Sequence, residues 1–359
     1  MPNESTTSKK PDKFGTHRVL SPLGVLPQQA QSLSVELPVQ QNELLIRVSA
    51  LNIDSSSFRQ IKEYCSADSE KMGCYIQNIV AERGKMQNPV TGSGGMLVGH
   101  VQQIGTHYFD GATNSESIVV GSPVATLVSL SLTPLKIEKI KEIHLNLDRV
   151  DIEGYAVLFQ SGVYAKLPPD IPQNLALAVL DVCGAPAHTR AMCKEGDTVV
   201  VLGGAGKSGL LCLYEAKKAV GPKGKVIGLD YDKMAVQHMK TFSFVDAAAV
   251  CDARDAISTY EIVRSLTPHG NLADIVINVT NVSDAEMSCV LSAKKGGVVY
   301  FFSTATNFNK AALGSEGIGA DVTLVIGNGY KPGHAELGLN ILRDSKEIRS
   351  YYEAKYGAS

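Results

Sequence analysis

The sequence lacks any strong bias of charge: 34 Lys and Arg against 36 Asp and Glu leave a formal net charge of −2. A chain so balanced has no electrostatic claim on nucleic acid or an anionic membrane surface, and neither partner is expected. Also missing is any run near the ~18 apolar residues of a membrane span. The opening residues, MPNESTTSKKPDKFG, are polar and lack the apolar core of a secretory signal. Cysteine is present but unorganised. Seven residues (Cys65, Cys74, Cys183, Cys193, Cys212, Cys251 and Cys289) form no Cys-x-x-Cys pair, which points to reduced thiols in a cytoplasmic protein. Internal repeats and low-complexity segments are absent as well.

What is present is an ordinary globular composition, 44% hydrophobic and 19% charged over 359 residues, too long for one core and suited to two domains. Residues 1–14 read as a flexible tail. From 15 to 172, short apolar runs such as ELLIRVSALNID, GGMLVGHVQQIG and GSPVATLVSL alternate with Gly, Pro, Asn and Ser, the pattern of an antiparallel β domain. Within it, Ser56 to Arg83 carries Ile61, Tyr64, Met72, Ile76, Ile79 and Val80 at mostly helical spacing, predicting one or two helices. From 173 to 328, continuous apolar strands alternate with helical stretches, which predicts an α/β domain with a parallel sheet covered on both faces. Residues 329–359 read as an amphipathic helical segment, expected to pack back on the first domain.

The sharpest motif follows the run TVVVL. Gly203-Gly204-Ala205-Gly206-Lys207-Ser208-Gly209 satisfies G-x-G-x-x-G and leads at once into an apolar helical pattern. Glycine is required there because the turn is tight, the backbone must approach a pyrophosphate, and the helix must sit hard against its strand. The next strand, KVIGLD, ends at Asp230, where a carboxylate accepts hydrogen bonds from an adenosine ribose and opposes a 2′-phosphate. NAD is therefore the expected cofactor, with NADP possible. The GKS triplet is not a nucleotide-triphosphate loop, since that pattern needs glycine where Val201 stands. Asp252, Asn278, Thr280 and Ser303 end later strands and are candidate cofactor contacts, although each is equally readable as a loop polar residue.

The order of a β-rich domain, a Rossmann domain and a short return segment resembles the medium-chain dehydrogenase/reductase superfamily. The resemblance implies a GroES-like β-rich catalytic domain joined to a Rossmann doubly wound parallel sheet. GGMLVGHVQQIG looks like that family's G-H-E-x-x-G-x-V-x-x-V-G segment, with Gly99, Val101, Ile104 and Gly105 on matching positions. Gly95 stands where the zinc-binding histidine would be, Met96 replaces the glutamate, and Asn52 falls near the first cysteine ligand. The four-cysteine structural lobe is missing too, so no metal is expected. His17, His100, His107, His188 and His334 show no ligand spacing.

Three longer runs, KFGTHRVLSPLGVLPQ, ALNIDSSSF and IVAERGKMQNPVTGSGGMLVG, are similar to the L-erythro-3,5-diaminohexanoate dehydrogenase family. That resemblance implies NAD(P)-dependent oxidative deamination of a small diamino acid, giving 5-amino-3-oxohexanoate, ammonia and reduced cofactor. Such a substrate, with two ammonium groups and one carboxylate, calls for acidic and amide acceptors and an Arg or Lys. Asn52, Asp54 and Ser55 offer one such group, with Asp54 a candidate base; the competing role for Asp54 is a helix N-cap. Glu82, Arg83, Lys85 and Asn88 offer another, with Glu82, Lys85 and Asn88 as catalytic candidates and Arg83 for binding. A solvated helix terminus and a connector shaped by Pro and Gly compete with that reading. Tyr64 is a weaker substrate-binding candidate, and Cys65 weaker still. A zinc-free quinone or enoyl reductase, and a dinucleotide-binding protein without catalysis, are the alternatives. A homodimer is the expected assembly.

Overall fold

The computed structural model describes residues 10–113 and 117–357, which divide into two compact units, 1–169 and 170–359. Residues 1–9 of the expected tail lie outside the described residues. From Asp12 the chain is already tied down: its carboxylate accepts from Thr16 Oγ1 at 2.6 Å and its carbonyl from Asn42 Nδ2 at 2.8 Å.

The first unit contains strands β1 (Val19–Ser21), β2 (Ser32–Leu33), β3 (Glu43–Ile53), β4 (Gly95–Ile104), β5 (Pro123–Thr126), β6 (Leu135–His144), β7 (Arg149–Phe159) and β8 (Tyr164–Lys166). β1 pairs with β2, and the others form one antiparallel sheet in the order β6-β7-β3-β4-β5-β8. Burial alternates along most of β7, the signature of a sheet with one dry face and one wet face. Two helices, α1 (Ser55–Tyr64) and α2 (Ser69–Arg83), answer the helical spacing seen in the sequence. Asp68 caps α2 by accepting from the Glu70 and Lys71 amides. Gly84 ends it at φ 63°, in a place where a Cβ would lie 2.0 Å from the Leu33 carbonyl oxygen. Between those ends, Met72, Ile76, Ile79 and Val80 enter the same core as Ile137 and Ile152, each burial contributing about 1.5–3 kcal/mol.

The edge of this unit is held by a buried charge network. Glu43 accepts from Arg18 Nε at 2.7 Å and Nη2 at 2.6 Å, lies 2.8 Å from His17 Nε2, and takes the Gln40 amide at 2.7 Å. Burial alone would raise the Glu43 pKa, but these hydrogen bonds outweigh it and bring it down to about 2.

The second unit runs α3 (Gln173–Leu180), α4 (Gly184–Met192), β9 (Thr198–Leu202), α5 (Lys207–Val220), β10 (Lys225–Asp230), α6 (Lys233–Met239), β11 (Ala247–Val250), α7 (Ala256–Leu266), β12 (Ala273–Asn278), α8 (Glu286–Ser292), β13 (Ala293–Phe301), α9 (Phe308–Gly317), β14 (Val322–Ile326), α10 (His334–Asp344) and α11 (Lys346–Tyr356). Six parallel strands lie in the order β11-β10-β9-β12-β13-β14, the doubly wound Rossmann order. β9 is buried at every residue because helices cover both faces of the sheet.

The C-terminal segment clusters with the second unit. It forms two helices rather than one, because Ser345 leaves helical geometry and accepts the Ile348 amide as the N-cap of α11. Both helices belong to the second unit, α10 packing on α3 and α4, and α11 on α3. Their apolar residues Leu339, Ile341, Leu342, Ile348 and Tyr352 are buried.

Candidate dinucleotide site and a polar cluster

In the second unit the glycine loop leaves β9 through Gly203, whose φ of 83° is open to glycine and strained for other residues. Its amide and that of Gly204 both donate to the Leu229 carbonyl at 2.9 Å, which ties the loop to β10. A Cβ on Gly209 would lie 2.2 Å from the Gly203 carbonyl, so helix and strand approach as closely as the motif requires. Gly206 caps α5 without a side chain, leaving the first-turn amides at Lys207 and Ser208 uncapped and available to an anion. A Cβ there would meet only the Gly203 oxygen, at 3.2 Å, so open space adjoins the helix end. These features fit a pyrophosphate.

Beside the loop is a cavity of about 410 Å³ lined by residues from the ends of β9, β10, β11 and β12. Asp230 lines it, its Oδ2 accepting the Ala205 amide at 3.0 Å. Asp252 and Thr280 line it as well. Asn278 does not; it is buried, and its Oδ1 accepts from the Thr280 amide at 3.1 Å and hydroxyl at 2.8 Å, orienting Thr280. Ser303 is also buried, its hydroxyl accepting the Ala305 amide at 3.2 Å. The Lys207 ammonium is paired with Asp181.

Sequence reasoning missed four residues here. Tyr231 and Arg254 line the same cavity. Tyr352, fully buried, donates its hydroxyl to the Lys207 carbonyl at 2.6 Å, and Tyr351 reaches the Ala205 carbonyl at 3.4 Å. The adjacent tyrosines in the sequence gave no sign of this, because the contact spans more than a hundred residues of chain.

In the first unit, the end of β3 gathers polar groups. Asn52 pairs in register with Met96 on β4 and Arg149 on β7. Asp54 occupies the N-cap position of α1 but makes no capping hydrogen bond; its Oδ2 instead accepts the Gly94 amide at 3.1 Å. Ser55 donates its hydroxyl to Asp148 Oδ2 at 2.6 Å. Asp148 and Arg149, unnoticed in the sequence, are brought here by the turn between β6 and β7, whose backbone bonds Ile53 through the Asp148 carbonyl at 2.9 Å. Arg149 Nε donates to Asp151 at 2.7 Å.

Lys85 and Asn88, expected as catalytic candidates, lie within the connector. Both are fully buried. Lys85 Nζ donates to the carbonyls of Pro27 at 2.8 Å and Gln28 at 3.3 Å; burial, helped by nearby Arg83, pushes its pKa down to about 8. Asn88 donates to Gln60 Oε1 at 2.8 Å and accepts the Val90 amide at 2.8 Å, closing its own turn. The physical reason is that a polar side chain in a Gly- and Pro-rich connector often satisfies backbone groups of that connector. Glu82 stays exposed, Arg83 donates to Gln87 at 3.3 Å, and Tyr64, 70% exposed, stacks tilted on Tyr75 at 4.9 Å.

Gly95, which stands in place of a histidine in the resembled segment, sits in a backbone conformation that favours glycine. Gly95 has φ 115°, and a Cβ would lie 2.0 Å from the Asn52 carbonyl oxygen, so no histidine fits there unchanged. Among the described residues, Glu142, His144 and Asp151 bring ligand atoms within 4.8 Å of one another. The Arg149 guanidinium already occupies one Asp151 oxygen, and its charge opposes a cation.

An antiparallel sheet unit followed by a Rossmann unit with this loop defines the class as a medium-chain dehydrogenase/reductase-type fold. A mycobacterial quinone oxidoreductase shares it at TM-score 0.54 and 18% identity, covering 91% of this chain and 92% of that one. So does a mycobacterial protein solved with NADPH, at TM-score 0.52 and 18% identity, covering 86% and 84%.

Residues 17–168 match the L-erythro-3,5-diaminohexanoate dehydrogenase N-terminal domain. The enzyme of that name from Acetoanaerobium sticklandii is 50% identical over 96% of this chain and 98% of its own. The one from Fusobacterium nucleatum is 49% identical over 97% and 99%. The chain belongs to the L-erythro-3,5-diaminohexanoate dehydrogenase family.

Proposed function

We propose that this chain oxidatively deaminates L-erythro-3,5-diaminohexanoate at carbon 3, yielding 5-amino-3-oxohexanoate and ammonia, with NAD preferred. The observation that carries this reading is identity at half of all aligned positions, over nearly the whole chain, with a dehydrogenase of that name. A bound nicotinamide supplies the two-electron acceptor. The chain's own residues handle charge and protons. Asp54 takes a proton from the substrate ammonium and then directs water onto the imine carbon, work suited to a positioned carboxylate. Ser55 and Asp148 form one acceptor group for an amine, Glu82 is a second amine partner, and Arg83 or Arg149 meets the carboxylate. Asn52 holds the substrate beside them, while Lys85 and Asn88 support the connector.

Asp230 underlies the preference for NAD, since its charge opposes a 2′-phosphate. Two copies of the chain associate through β14, one of the two outer strands of its sheet, whose Ile326 is 60% exposed; an unpaired edge pairs readily with its own copy. Seven free cysteines suit the cytoplasm.

The test is reduced-cofactor absorbance with NAD and the diamino acid, run beside NADPH with 2-cyclohexenone. Amine-dependent reduction, unchanged by EDTA, is the expected outcome. Cyclohexenone turnover alone would move the chain to the reductases, silence in both assays to a binding role, and EDTA inactivation restored by zinc would overturn the metal-free mechanism.

A further inference from the structure

The cavity beside the glycine loop has an uneven charge inventory. Its lining residues include two carboxylates, Asp230 and Asp252, and one guanidinium, Arg254. Arg254 is 57% exposed at the side chain, yet it is fastened at three points to Asp252. Nε donates to Oδ1 at 2.9 Å, Nη2 to Oδ2 at 2.8 Å, and its own amide to Oδ1 at 3.0 Å. These hydrogen bonds, the side-chain pair foremost, hold the Asp252 carboxyl at about 2, so the pair stays charged throughout the working pH range.

A guanidinium paired fork to fork with a carboxylate has its best donors occupied in the geometry that would otherwise grip a phosphate. We propose that Asp252 is a specificity residue that excludes NADP by holding Arg254, the one cation among the described residues that line this cavity, away from a 2′-phosphate. Asp230 acts by direct repulsion and Asp252 by sequestering the counter-charge. With both acids ionised the lining carries a net negative charge; without Asp252 the Arg254 fork is free to turn toward the phosphate. The inference rests on the dinucleotide reading of the cavity and names a second determinant of cofactor choice beyond Asp230.

The test measures 5′-AMP, 2′,5′-ADP, NADH and NADPH binding by calorimetry on the wild-type protein, Asp252→Ala, Asp252→Asn and the double variant Asp252→Ala/Arg254→Ala. The expected result is a shift of about tenfold in the 2′,5′-ADP to 5′-AMP affinity ratio for both single variants. NADPH and NADH should follow the same shift, and the double variant should return to the wild-type ratio. An unmoved ratio in both single variants would overturn the proposal, as would a gain that survives loss of Arg254, because simple relief of repulsion would then account for it. Failure of the wild-type protein to bind either NADH or 5′-AMP would instead sink the dinucleotide reading itself. Melting temperatures of the variants, changed at the half-buried Asp252 and the exposed Arg254, show whether a lost signal reflects misfolding.

Discussion

The glycine loop of the second unit and the polar end of β3 in the first hold their shapes by different means. Between Gly203 and Gly209 the geometry is set by backbone: amides on the Leu229 carbonyl, a positive φ, and a helix so close to its strand that a Cβ has no room. At the end of β3 the arrangement depends on side chains, with Asp54 on the Gly94 amide and Ser55 on Asp148. A backbone device tolerates many neighbours but few changes of residue at its own glycines. A side-chain cluster tolerates modest substitution in shape, while its chemistry rests on single charges.

The largest effect that would break this comparison is expected at the loop. Gly209→Val places carbon where only 2.2 Å separates a Cβ from the Gly203 oxygen. NADH affinity by fluorescence titration should fall about 100-fold or more, and near-normal binding would mean the loop is more plastic than its backbone bonding implies. Asp54→Asn keeps an oxygen to accept the Gly94 amide but loses the base. The expectation is a drop in kcat of ~100-fold or more with an unchanged melting temperature. A wild-type rate would move the proton transfer to another group.

Glu43→Gln sharpens the contrast in stability, because it leaves Arg18 buried beside a neutral amide. The cost should be about 3–5 kcal/mol, read by urea unfolding. The sign with pH follows from the lowered carboxylate: its contribution is full above the ordinary value of 4.5 and is lost as pH falls toward about 2. The wild-type protein should therefore lose more stability over that interval than the variant, and parallel pH curves would contradict the network's role. Gly95→His, which places a possible metal ligand there, should bind no zinc and cost about 3 kcal/mol through positive φ. Stoichiometric zinc in a stable variant would show that the backbone relaxes. The smallest effect belongs to Tyr352→Phe, which removes one hydrogen bond to the Lys207 carbonyl. About 1 kcal/mol of loop order should be lost, seen as several-fold weaker NADH binding with intact folding.

How much of each region was legible differs for the same physical reason. The glycine spacing, the strand before it and Asp230 are local in sequence, and the motif needs no distant partner to be read. Thr280 at the rim was legible as a strand-end residue, but Asn278 behind it was not separable from it, since only packing decides which of two neighbouring polar side chains faces a cavity. In the first unit, Lys85 and Asn88 read as functional because they are polar residues in a loop of special composition. Burial turned both toward backbone groups instead. Asp148 and Arg149 were invisible because a hairpin carries them to β3 from nearly a hundred residues away.

Local periodicity, composition and glycine chemistry thus determined two domains, the Rossmann order of strand and helix, the helices of the first unit and the tight glycine loop after β9. Tertiary structure alone decided that α10 and α11 belong to the second unit, that Tyr352 braces the loop, that Lys85 anchors a connector, and that Asp252 holds Arg254 at the cavity. The first group rests on interactions within a few residues or one turn of chain. The second depends on which surfaces meet when distant segments compete for the same buried space, and that choice is made by packing and desolvation across the whole unit.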